Sequence, residues 1–130
     1  MKELIEQKWF GGYNTRNWED VASLYADDAV VHAVDGDKTG GQAVVDIAKK
    51  WLEAMPDAQI IPKGIVEDDP DTIVVHWKCE ATFEGPVRNL EPTHEKVVFH
   101  GLTHFKHRDG KIIEHWATVD YRPLKAPAAV

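Results

Sequence analysis

Histidine and tryptophan are the residues whose chemistry asks for an explanation: seven His and five Trp occur in 130 residues. An imidazole changes charge near neutral pH and can act as base, hydrogen-bond donor or metal ligand. Spacing argues against the metal. His100 and His104 are four apart, which suits zinc on a helix, but on a strand that separation spans about 13 Å. His104 and His107 point to opposite faces of a strand, so the expectation is no metal and no cofactor. Nucleophilic chemistry has less support still. The single serine, Ser23, falls in a helical stretch, and no Gly-x-Ser-x-Gly elbow is present. Cys79 lies on the apolar side of a strand, where a thiol is ordinarily inert. Thr39-Gly40-Gly41 reads as the start of a helix, not as a phosphate loop.

The chain's length fits one domain with a core of its own. Fifteen Lys+Arg against 22 Asp+Glu leave a net charge of -7, which argues against a nucleic-acid partner. One cysteine excludes an internal disulfide and a Cys-based zinc site. No run approaches the ~18 apolar residues of a membrane span. The charged start Met1-Lys2-Glu3-Leu4-Ile5-Glu6 lacks the apolar stretch of a secretory signal. The expectation is a cytoplasmic protein without a membrane partner.

The elements that must position these residues follow from periodicity. Ile5, Trp9, Phe10 and Tyr13 recur at helical spacing, with Gly11 and Gly12 weakening the end. Asn17 is a plausible N-cap for a helix from Trp18 to Ala26, whose apolar stripe is Val21, Leu24 and Tyr25. Asp27-Asp28 ends it, residues 29–34 read as a short strand and 36–41 as a loop. A third helix runs from Gln42 to Met55, stopped ahead of Pro56. Thereafter the pattern turns to period two, with strands over 60–67, 72–84, 96–107 and 111–121. Asp68-Asp69-Pro70-Asp71 is a turn, residues 85–95 a long connection, and Arg108-Asp109-Gly110 a hairpin turn. In the second of these strands Ile73, Val75, Trp77, Cys79, Ala81 and Phe83 form the buried face. Residues 1–121 make one domain and 122–130 a loose tail. Helices followed by a mostly antiparallel sheet give an α+β cone, helices closing a curved sheet around one apolar pocket.

Three segments carry a family resemblance. FGGYNTRNWEDVASLYADDAVV (residues 10–31) resembles the opening of nuclear transport factor 2-like proteins, and among them is most similar to the SnoaL-like polyketide cyclase group. GPVRNLEPT (85–93) and GKIIEHWATVD (110–120) look like that group's loop and last strand. The resemblance runs from about residue 4 to 121 and implies the cone fold. It also implies a catalytic carboxylate where this chain has Ala117 and a histidine where it has Thr103. In the steroid-isomerase branch the base would fall on Ala33, and two acidic donors on Trp9 and Thr103. The frame is therefore present without either catalytic set, and the fold alone does not choose an activity.

On this frame His32 falls at the inner end of the first strand, near the pocket; the ordinary alternative is a core histidine satisfied by its neighbours. The last strand has two registers. An odd register faces Ile113, His115, Ala117, Val119 and Tyr121 inward; an even one would bury Glu114 and Asp120, which is costly for unpaired carboxylates. The odd set is favoured, with Asp120 turned inward only if a bulge intervenes. On the strand before it, Val97, Phe99, Gly101, Thr103, Phe105 and His107 share the parity that suits the pocket. His76, His100, His104 and Trp116 then share the outer face, which is expected to pair with a second copy of the chain.

The sequence thus predicts a pocket for an apolar or aromatic carbonyl compound, walled by Trp9, Tyr13, Trp51, Phe83 and Phe105, with polar contacts from His32, Thr103 and His115. The enzymatic reading is cofactor-free acid/base chemistry of cyclase or isomerase type. His32, His115 and, secondarily, Asp120 are its catalytic candidates; one histidine takes a C–H proton while Trp9 or Thr103 steadies the oxyanion. The alternatives are a ligand-binding domain without chemistry, given Ala33, Thr103 and Ala117, and a dimeric interaction domain with a filled core.

Overall fold

The alternation of the chain's second half becomes four antiparallel strands, and a fifth and sixth from the first half complete one sheet. The computed structural model describes residues 1–125 apart from Val34 and Asp69. The predicted strand end at residue 34, part of the predicted turn at 68–71 and the last five residues of the tail lie wholly or partly outside the described residues. The strands are β1 (Tyr25–Ala33), β2 (Gly36–Thr39), β3 (Gln59–Asp68), β4 (Thr72–Thr82), β5 (Lys96–Arg108) and β6 (Lys111–Val119). Their order across the sheet is β2-β1-β6-β5-β4-β3. Only β1 and β6 are parallel.

The helices cover the inner face. The first helical run is α1 (Lys2–Leu4), a π-helical segment (Ile5–Phe10) and α2 (Gly11–Thr15). The wider π turn puts Ile5, Trp9 and Phe10 all inward. The glycine pair does not end the helix; Arg16 does, in a left-handed conformation. Its guanidinium donates to the carbonyls of Tyr13, Pro56 and Ala58, tying the helix end to the chain entering β3. Asn14 extends that seam by bonding both the N–H and the C=O of Ile60. Asn17 caps α3 (Trp18–Ser23) as expected, accepting from the Asp20 N–H. The longest helix, α4 (Gly41–Ala54), buries Val44, Val45 and Ala48 and stops at the predicted place.

Three local expectations are corrected. Helix α3 is shorter than predicted, and Tyr25 begins β1 rather than completing a helical stripe. The register of β1 against β6 slips between Tyr25 and Val30, so a bulge carries Asp27 and Asp28 and hides the period-two signal. The predicted loop 36–41 contains an edge strand, β2, paired with Val30–Ala33. The tail is less loose than predicted at its start: Arg122–Leu124 forms a 3-10 turn with Leu124 fully buried.

The registers of β4 and β5 follow the expected parity; β6 slips against β5 between Lys106 and His107, so Ile112 rather than the expected Ile113 is fully buried, and the odd residues His115, Ala117 and Val119 line the inner face beyond it. The odd residues of β4 and β5 face the core, with Phe99 and Phe105 essentially inaccessible. Each such side chain contributes about 1.5–3 kcal/mol by burial. Asp109 and Gly110 both have positive φ, which gives the primed turn that matches strand twist. Gly101 lies directly opposite Trp77, and a β-carbon there would collide with the indole. The missing side chain lets Trp77 lie flat over β5.

Candidate active site

Between α4, the first helical run and the inner face of the sheet is a cavity of about 100 Å³. Trp9 and Tyr13 wall one side, and Ile47, Trp51 and Met55 of α4 another. Trp77, Cys79, Phe99, Thr103, His115, Ala117 and Val119 form the sheet wall. The space is below the ~300–1,000 Å³ of drug-sized sites and close to the ~150 Å³ that holds benzene in an engineered apolar cavity. It is ring-sized.

Its polar groups are few and all neutral. The Trp9 indole N–H donates to the Tyr25 hydroxyl at 2.8 Å, and that hydroxyl lies 2.8 Å from His115 Nδ1. Indole nitrogen can only donate, so the phenol oxygen is an acceptor there. The phenol proton is satisfied only if it points at His115. That bond assigns Nδ1 as the acceptor and the ring proton to Nε2 of His115, a residue of the cavity wall. Burial pushes the His115 pKa down to about 4, so the imidazole is neutral at pH 7. Burial raises Tyr25 and Tyr13 far above the ordinary phenol range, so both stay protonated. Trp77 Nε1–H donates to Thr103 Oγ1 at 2.9 Å, leaving the threonine's own proton free. Cys79 is pushed up to about 12 by burial and remains a thiol.

The sequence-predicted residues divide accordingly. Trp9, Tyr13, Trp51, Thr103 and His115 line the cavity together, and Ala117 occupies the wall beside them. Phe105 does not line it; it packs edge-on against Trp9 and His115 from behind. Phe83 is likewise fully buried away from the lining. His32 stands on the opposite face of the sheet, because β1 pairs Val31 with His115 and His32 with Trp116. Its ring stacks on Trp116 and bonds Glu114 and Asp37 at 2.7 and 2.8 Å, and those bonds raise its pKa. Asp120 is not turned inward by a bulge. It follows β6 and binds Arg122, which holds its carboxyl down at about 2. The Trp9 indole, expected as an oxyanion donor, has its only N–H engaged by Tyr25.

Sequence reasoning missed Tyr25, the residue that sets the histidine's tautomer, by leaving it in a helix. It also placed Trp77 only in the buried face, although the proximity of Gly101 and Thr103 across the sheet makes its N–H part of the site. Among the described residues, no group of three His, Cys, Asp or Glu converges as a metal-ligand set. No described helix is long and apolar enough to cross a membrane.

Comparisons with known proteins agree with this architecture. The model of the SnoaL-like polyketide cyclase family matches residues 3–126. AclR from Streptomyces galilaeus, a candidate hydroxylase, superposes with a TM-score of 0.79 at 25% identity over 95% of this chain and 76% of its own. IdmH from Streptomyces antibioticus, a candidate polyketide cyclase, gives 0.80 at 20% identity over 95% and 94%. A SnoaL-like protein from Jannaschia gives 0.76 at 17% over 96% and 88%. No curated protein matches the chain in sequence.

Proposed function

Since the chain belongs to the SnoaL-like polyketide cyclase family, we propose that its cone binds a small apolar or aromatic carbonyl compound and polarises the carbonyl for ring closure without a cofactor. The observation that carries this reading is the relay from Trp9 through Tyr25 to His115, a buried imidazole that lines a largely apolar cavity with its Nδ1 engaged by the phenol.

His115 is then a donor rather than the base expected from sequence. With Thr103 Oγ1–H on the neighbouring strand it offers two neutral donors to one oxygen. In an aldol closure the enol carbon of the substrate bonds to the carbonyl carbon, and the C=O electron pair moves onto the oxygen facing His115. The enol O–H proton passes to that oxygen, so the substrate supplies its own proton and no side chain changes protonation. A pre-oriented donor at a developing oxyanion contributes roughly 10²–10³ in rate. The aromatic walls hold the ring, and the lack of water-seeking charges keeps the site dry.

The test uses an ortho-acetylbenzyl methyl ketone, whose enol tautomer forms in solution, closes by aldol addition and then loses water to give a fluorescent methylnaphthol. His115→Phe is expected to slow closure by about 100-fold or more while Trp51 fluorescence still reports binding. Equal rates for both proteins would sink the donor role. Binding without acceleration in the parent protein would favour the second reading, a ligand-binding domain. That reading is supported by the lining itself: among the described residues it contains no ionised group, and Ala117 and Thr103 stand where a carboxylate base and a histidine are implied.

A further inference from the structure

The outer face of the sheet holds a pair of histidines that the cavity does not use. His76 on β4 and His100 on β5 are diagonal neighbours in the antiparallel register, in which His76 faces Leu102 and Lys78 faces His100. Both rings are exposed, and His76 Nε2 lies 3.0 Å from His100 Nδ1 with the ring planes inclined by 34°. At that distance the N–H of one ring donates to the bare nitrogen of the other.

We infer that this pair is a two-imidazole chelate for a divalent transition-metal ion of square-planar or tetragonal preference, copper(II) above all. Metal–nitrogen bonds are about 2.0–2.1 Å, so nitrogens 3.0 Å apart subtend roughly 90° at an ion placed between them. That is the cis angle of a tetragonal ion and not the wider angle of tetrahedral zinc. The ion replaces the bridging proton, which moves to the outer nitrogen of its own ring, and both exposed rings turn so that each lone pair meets the ion; each imidazole then coordinates in the neutral form. Among the described residues no third protein ligand converges, and water completes the shell.

The surroundings leave room for such an ion. On β3 the residue opposite His76 is Gly64, at a register slip, and a β-carbon there would meet no atom within 4 Å. Lys78, the cross-strand neighbour of His100, has its ammonium held by Glu80 at 2.9 Å. Arg122, near the end of β6, is bound to Asp120, whose N–H donates to the His100 carbonyl. His104 shares the face but stacks on Trp116, with ring centroids 4.5 Å apart. The spacing of histidines along one strand argued against a metal; the pair arises between strands.

Untagged full-length protein titrated with copper(II) is expected to bind one equivalent, with electron paramagnetic resonance showing coupling to two imidazole nitrogens. His76→Asn and His100→Asn, both at exposed positions, are each expected to weaken binding about tenfold or more. His104→Asn is expected to leave it unchanged. The proposal is overturned if both single variants bind copper as the parent does, if His104→Asn weakens binding equally, or if fewer than two nitrogens couple.

Discussion

The phenol oxygen of Tyr25 lies 2.8 Å from Nδ1 of His115, joining the first residue of β1 to the middle of β6 across 90 positions of sequence. This one bond decides which imidazole nitrogen faces the cavity, and so whether the site offers a donor or a lone pair. The indole of Trp9 completes the relay from the π-helical turn.

Tyr25→Phe removes the acceptor of Trp9 and the donor to His115 together. Each buried group left without a partner costs about 1–3 kcal/mol. We expect a lower urea midpoint and, by nitrogen NMR, loss of the single Nε2–H tautomer of His115. An unchanged tautomer in the variant would disprove the relay.

The two histidines of β1 and β6 have opposite effects on stability. His115 titrates near 4 when folded and near 6.5 when unfolded, so the unfolded chain binds its proton first. Stability therefore falls as pH drops from about 6.5 to about 4, by on the order of 3 kcal/mol. His32 is raised by its bonds to Glu114 and Asp37. Its contribution is complete below the unfolded value and is lost as pH rises through the folded one. Denaturation curves across this range should show a shallower acid limb in His115→Phe. His32→Asn should instead remove part of the decline at higher pH. Profiles parallel to the parent's would contradict both assignments.

Gly101→Ala should lift Trp77 off β5, since the added methyl would collide with the indole. Overpacking of this kind costs about 1–3 kcal/mol. The expected signs are a lower melting temperature and altered tryptophan fluorescence, as the bond from Trp77 to Thr103 breaks. A variant as stable as the parent would show that the sheet yields at this point.

Cys79, pushed up to about 12 by burial, should resist alkylation. Iodoacetamide at mildly alkaline pH should label the unfolded chain quickly and the folded chain scarcely at all, by mass spectrometry. Equal labelling rates would mean that the cavity wall opens freely.

The inner and outer faces of β4 and β5 were legible in the sequence because period two survives where a strand is half buried, and Thr103 was found that way; the register of β6 needed the family frame as well to favour His115, and its slip at Ile113 was not legible. The site's first strand was not legible. The bulge between Tyr25 and Val30 breaks the alternation, and consecutive acidic residues, Asp27 and Asp28, read as a helix end. His32 was placed near the pocket by the family frame alone, and the pairing of Val31 with His115 puts it on the opposite face. The pairing of His76 with His100 depends on register between strands 24 residues apart in sequence, which spacing along one strand does not encode.

The lone parallel pair in the sheet also bears on synthesis. Strand β1 hydrogen-bonds β2 on one side but finds its other neighbour only in β6, so one edge of it waits unpaired while Val34 to Gly110 are made. At about 5–20 residues per second that interval is roughly 4–16 s. During it a chaperone, or a neighbouring nascent chain on the same messenger, meets an open strand edge, and the cavity's donor is armed only when the last strand leaves the ribosome.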